Sequence, residues 1–167
     1  AKDSVSGRFR HSLVLSNLAG VIHLQKEIKA PVDQVYGAFQ RTQALRTWYD
    51  PRCRMEKFVV GGKLKGDNYP SAEIVALIPD HTIVHRYSDI VSGFGIWTFV
   101  EKSRGKATSL IFHHLDAYDS KEDRDSITFY WKGLIENLAA FCEGREIPFD
   151  HDAGKYRKGM KPGTGDT

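Results

Sequence analysis

The sequence predicts an α+β protein in which a seven-stranded antiparallel sheet curls around one long C-terminal helix. Three observations predict it. Apolar and polar residues alternate from Val21 to Lys29; after Pro51 strand-length segments follow one another with turn residues between them; and from Ser120 the apolar period changes from two to about 3.6.

In the first strand Ile22, Leu24, Lys26 and Ile28 share one face and Val21, His23, Gln25 and Glu27 the other, because successive strand side chains point to opposite sides. The stretch KAPVDQVYGAF then breaks at Ala30-Pro31. Proline has no N–H to give to a ladder but suits the first turn of a helix. A short helix over 31–40 is expected, with Val32, Val35, Tyr36 and Phe39 inward. Thr42 is placed as the N-cap of a second short helix, through Leu45 and Trp48, that ends before Pro51.

The segments RMEKFVV, KLKG, AEIVALI, TIVHRYS, GIWTFVEK and ATSLIFHHL supply the remaining strands in series, and short turns between them require antiparallel pairing. Ile127, Trp131, Leu134, Leu138 and Phe141 then recur at steps of four and three along one helix face, with Ser120 and Asp123 as its start and Gly144 as its stop. Such a helix is about 35 Å long, enough to cross the sheet, yet only about 10 Å wide. Space is expected beside it, and that space is the expected home of a ligand.

The 167 residues divide into an extension (1–20), one domain (21–146) and a flexible tail (147–167), disordered from about His151, where Pro148 and glycines stand among charges. Cys53 and Cys142 have no disulfide or metal spacing, no apolar run reaches membrane-span length, and no secretory signal pattern opens the chain. A cytoplasmic location is the expectation. The formal charge of +3 is mild, and the basic tail residues Lys155, Arg157, Lys158 and Lys161 lack interleaved aromatics, so no nucleic-acid partner is expected. No phosphate loop, nucleophile elbow or dinucleotide glycine pattern is present, and neither cofactor nor metal is expected. His81 and His85 are four apart, but in a strand this spans about 13 Å, too far for one ion.

The order of these elements, with KAPVDQVYGAF, RTWYDP, FVVGGKLKGD and WKGLIENLAAF, resembles the START and birch-allergen-like helix-grip superfamily (SRPBCC). It is most similar to the branch named after the activator of heat-shock-protein-90 ATPase. The resemblance covers about Val21 to Gly144. It implies a helix-grip fold with an internal cavity, and members that bind lipids, polyketides or other apolar molecules, that cyclise or dehydrate polyketides, or that contact chaperones.

Non-covalent binding of a small hydrophobic or amphipathic molecule is therefore the leading expectation, ahead of an enzyme. Trp48, Phe112, Tyr130, Trp131 and Leu134 are placed along the cavity. His114 is set on the inward face of Leu110 and Phe112, where it is either a satisfied core histidine or a proton shuttle for a cyclase or dehydratase, with Tyr118 or Arg86 steadying an enolate. Lys26 needs water, an acid such as Asp116, or a ligand carboxylate. Arg86 either clamps an anionic head group or joins a cross-strand salt bridge. Ile96, Thr98 and Val100 are set toward the cavity and Trp97 and Phe99 outward, covered by Leu13, Val14 and Leu15 or forming a homodimer or partner-protein patch.

Overall fold

A computed structural model describes residues 20–160; the extension with its Leu13-Val14-Leu15 cluster lies outside the described residues. In chain order the elements are β1 (Val21–Ile28), α1 (Val32–Gly37), α2 (Thr42–Trp48), β2 (Arg54–Met55), β3 (Lys63–Lys65), β4 (Ala72–Ile78), β5 (Thr82–Tyr87), β6 (Phe94–Lys102), β7 (Ala107–Leu115), α3 (Lys121–Cys142), β8 (Phe149–Asp150) and β9 (Lys155–Tyr156). The first seven strands form one antiparallel sheet in the order β1-β7-β6-β5-β4-β3-β2. This order explains the early helices. Strands β1 and β2 occupy opposite edges, so the chain must travel from one edge to the other, and α1 and α2 make that crossing.

The expected strand RMEKFVV is shortened to Arg54–Met55. Gly61, at a φ of 89°, and Gly62 close a tight turn in which the Gly62 N–H donates to the Val59 carbonyl. A Cβ on Gly62 would meet the Lys57 carbonyl oxygen at 1.9 Å, so only glycine fits. Thr42 does not cap α2; Arg41 holds that position without a side-chain cap. The Thr42 hydroxyl instead accepts from the Met55 N–H at 3.0 Å, tying α2 to β2. Ser120 does cap α3, accepting from the Asp123 N–H at 3.1 Å.

Strand β6 presents the opposite face from the one expected. Trp97 pairs with Phe112 and Phe99 with Leu110, and residues directly opposite in a sheet share a face. Trp97 and Phe99 are therefore core residues, 1% and 2% exposed, while Val100 is exposed. They form no partner patch. Both faces of GIWTFVEK are apolar, so alternation alone cannot orient it; the register with β7 does.

The interior between sheet and helix is filled. The Trp97 and Phe112 rings stack at 4.0 Å between centroids, Trp131 lies 4.7 Å from Phe112, and Phe39 packs on Trp97 at 4.9 Å and on Trp48 at 5.0 Å. Each such pair contributes about 0.5–1.5 kcal/mol beyond its burial. The C-terminal half of α3 is buried almost all round, from Gly133 to Ala140, whereas its first turns are exposed.

Through residue 160 the tail is ordered where disorder was expected. Strands β8 and β9 pair as a hairpin, and Phe149 and His151 are buried. Phe149 sits on Gly133, where a Cβ would come within 2.5 Å of its ring. Asn137 on α3 holds the Phe149 backbone from both sides: Oδ1 accepts from its N–H and Nδ2 donates to its carbonyl, each at 2.9 Å. The polar composition of the segment is offset by this one aromatic anchor and one buried amide. Asn137→Ala should cost about 2–3 kcal/mol by leaving the Phe149 peptide groups unpaired. Urea denaturation measures the loss, and amide exchange should accelerate first over 149–156.

Candidate functional site

Where the core ends, a pocket begins. Beyond Trp131 the first turns of α3 are exposed, and a pocket of about 760 Å³ opens there, within the range that holds small-molecule ligands. Trp131, Leu134 and Ile127 of α3 form its floor, and Val91, Ala117 and Tyr118 come from the β5–β6 and β7–α3 loops. Tyr69 and Pro70 close it from the β3–β4 loop, and 151–154 of the C-terminal hairpin form a further wall. Asp116, Asp119, Asp123 and Asp152 line it as well, and among the described residues no lysine or arginine does.

The floor is pinned by a buried relay. The Trp131 indole N–H donates to Nδ1 of His114 at 3.0 Å, and His114 Nε2 donates to the Ser92 carbonyl at 2.7 Å on the β5–β6 loop. An indole can only donate, so Nδ1 must be the acceptor and Nε2 must carry the hydrogen. Burial lowers the His114 pKa, against smaller raising effects of the Ser92 bond and Asp116. Of the two sequence alternatives, the satisfied core histidine is the one observed: both nitrogens are engaged, the ring is 0% exposed, and it does not line the pocket. As the acid or base of a cyclase, His114 has no free nitrogen to offer.

A second indole–imidazole pair lies deeper. Trp97 donates to His85 Nδ1 at 3.2 Å, while His85 Nε2 and the Tyr87 hydroxyl are buried without a hydrogen-bond partner among the described residues. Burial pushes the His85 imidazole from 6.5 down to about 4.

The expected site residues separate into three groups. Tyr118, Tyr130, Trp131 and Leu134 line the pocket. Trp48 and Phe112 belong to the closed core; the Trp48 indole donates to the Ala38 carbonyl at 2.9 Å. Lys26 and Arg86 are elsewhere. Lys26 pairs across the grip with Glu136 of α3 at 3.1 Å, not with Asp116. Arg86 points off the outer face to Glu73 on the neighbouring strand, the cross-strand alternative. Large aromatics fill the middle of the space expected beside the helix, and the pocket opens at its end.

Sequence reasoning missed Val91, Ala117, Tyr69, His151 and the role of Asp116 and Asp119. All but His151, which belongs to the C-terminal hairpin, lie on loops that antiparallel topology gathers at the end of the sheet where α3 begins, so the strand order was the available signal. No group of metal-ligating side chains is present among the described residues. No helix there is long and apolar enough to cross a membrane.

An antiparallel sheet gripping a single C-terminal helix, with two short helices after the first strand, defines the helix-grip class. The profile of the family described as activator of Hsp90 ATPase homolog 1-like protein matches residues 29–143, more than half of the chain, and the chain belongs to that family. No curated protein matches it. Among solved structures, the Aha1 dimer of Colwellia psychrerythraea is similar at a TM-score of 0.66 and 17% identity, covering 74% of this chain and 96% of that one. CalU16 from Micromonospora echinospora is similar at 0.60 and 18% identity over 73% and 75% of the two chains. DynU16, from the dynemicin biosynthetic locus, matches at 0.63 and 18% identity over 75% and 48%. At these identities the likeness concerns the fold.

The buried imidazole of His85 makes stability depend on pH. The unfolded chain takes up this proton near 6.5 and the folded chain only near 4, so its contribution is complete above 6.5 and is lost as pH falls toward 4, by about 3 kcal/mol. Urea denaturation at a series of pH values over this window should show the slope, and His85→Leu should flatten it. An unchanged slope in the variant would contradict the assignment.

Proposed function

We propose that this protein binds a small amphipathic molecule non-covalently in the end pocket. The observation that supports the reading is the pocket itself: an apolar floor of Trp131, Leu134 and Ile127 under a polar rim, formed by loops from several parts of the chain. Burying about 200 Å² of apolar ligand surface contributes about 5 kcal/mol before the entropy of association is subtracted. The floor covers that surface, and the rim orients the ligand. The origin of DynU16 in a biosynthetic locus is in keeping with a small-molecule partner.

Catalysis through His114 is the weaker alternative, since the ring is spent on holding Trp131 in place. A chaperone-contacting or dimerising role through Trp97 and Phe99 has no exposed surface to work with.

The uncharged dye N-phenyl-naphthylamine should gain fluorescence saturably on titration into the protein. Ser126 is exposed and lines the pocket, so Ser126→Trp should weaken dye binding about tenfold by occupying the volume. Lys132→Trp, exposed on the same helix but outside the pocket, should leave it unchanged. Equal affinity in wild type and Ser126→Trp would place the dye elsewhere.

A further inference from the structure

We propose that the end pocket selects an organic cation: an ammonium or amidinium group carried on an aromatic or alicyclic body. This rests on the reading that the pocket binds a small molecule, and it names the chemistry of that molecule.

The lining of the pocket is rich in carboxylates. Asp116, Asp119, Asp123 and Asp152 line it, with no lysine or arginine among the described residues. Asp152 is answered by Arg52 at 3.3 Å. The carboxylates of Asp116, Asp119 and Asp123 have no basic partner among the described residues. An opposing field comes from the N-terminus of α3, equivalent to roughly half a positive charge, and Glu122 and Asp123 in its first turn already meet it. An anionic head group entering here would face three carboxylates and, among the described residues that line the pocket, no lysine or arginine. His114 behind the floor adds no charge, because its Nδ1 accepts from the Trp131 indole and so carries no proton.

The aromatic lining points the same way. Tyr69, Tyr118, Tyr130 and Trp131 all line the space, and the negative faces of such rings attract a cation while their area receives an apolar body. Carboxylates and aromatic rings lining one space suit a positive head joined to a flat or ring-shaped tail. They do not suit a fatty acid or a phosphorylated ligand.

The shape of the rim permits a conservative test. Asp116 has a φ of 57°, a conformation that asparagine tolerates as readily as aspartate, and Asp119 and Asp123 are exposed. The variant Asp116→Asn/Asp119→Asn/Asp123→Asn should keep the fold while removing the field.

Three probes with one body and different heads separate the possibilities: naphthylethylamine, naphthylethanol and naphthylacetate, titrated into the full chain by calorimetry. The expected order is amine tightest, alcohol intermediate and carboxylate weakest, with steps of about tenfold. Raising the salt from about 0.05 to about 0.5 M should compress the steps in the wild type, and in the triple variant the three affinities should converge. The wild-type salt series stands even if that variant does not fold. Equal affinities for the three heads, or tightest binding of the carboxylate, would overturn the cation preference while leaving a ligand pocket intact. Failure of all three to bind would overturn the pocket reading and the preference together.

Discussion

The hydrogen bond from the Trp131 indole to buried His114 fixes the point at which this fold stops being solid and becomes a container. A sheet of seven curved strands has one concave face and a single long helix to cover it. The mismatch in width must be filled by side chains or left as space. Over the C-terminal half of α3 it is filled by Trp48, Trp97, Phe112 and Phe39. Trp131 is the last of these rings. Its other edge is pocket floor, and the imidazole that holds it is bonded in turn to the loop forming the pocket wall. Core packing and pocket shape are therefore consequences of one contact network.

The C-terminal hairpin extends the container beyond the part of the chain that matches the family profile, which ends at residue 143. Strands β8 and β9 are too short to be stable alone, and they hold because Phe149 covers Gly133, Asn137 binds the Phe149 backbone, and His151 donates to the Trp48 carbonyl at 2.8 Å. The Tyr69 hydroxyl donates to the His151 carbonyl at 2.8 Å. The hairpin thus joins α2, α3 and the β3–β4 loop, and its turn becomes pocket wall. Two chains with the same grip but different tails would present different pockets.

Much of this architecture was legible in residue order. The alternation in β1, the break at Ala30-Pro31, the Ser120 cap and the heptad-like spacing from Ile127 to Phe141 are local signals, and the elements follow them. What was not legible depends on pairing. Trp97 and Ile96 are both apolar, and only the match of Trp97 to Phe112 says which faces inward. Lys26 was correctly placed on the inner face, but its acid, Glu136, lies 110 residues away on α3 and no local pattern connects them. The tail read as disordered because its composition is polar and glycine-rich; one buried phenylalanine outweighed the average. The aromatic count signalled a filled core as strongly as a lined cavity, and volume alone decided between them.

The most direct test of a closed core with an open end is nuclear magnetic resonance mapping with naphthylethanol on the full chain. Shifts confined to Val91, Ala117, Tyr118, Leu134 and the Trp131 indole N–H, with Leu24, Val35 and Ile83 unmoved, are the expected result. Shifts spread along the inner face of β1 and β5 would mean that the middle of the grip opens to ligand, and would contradict a solid interior that ends at Trp131.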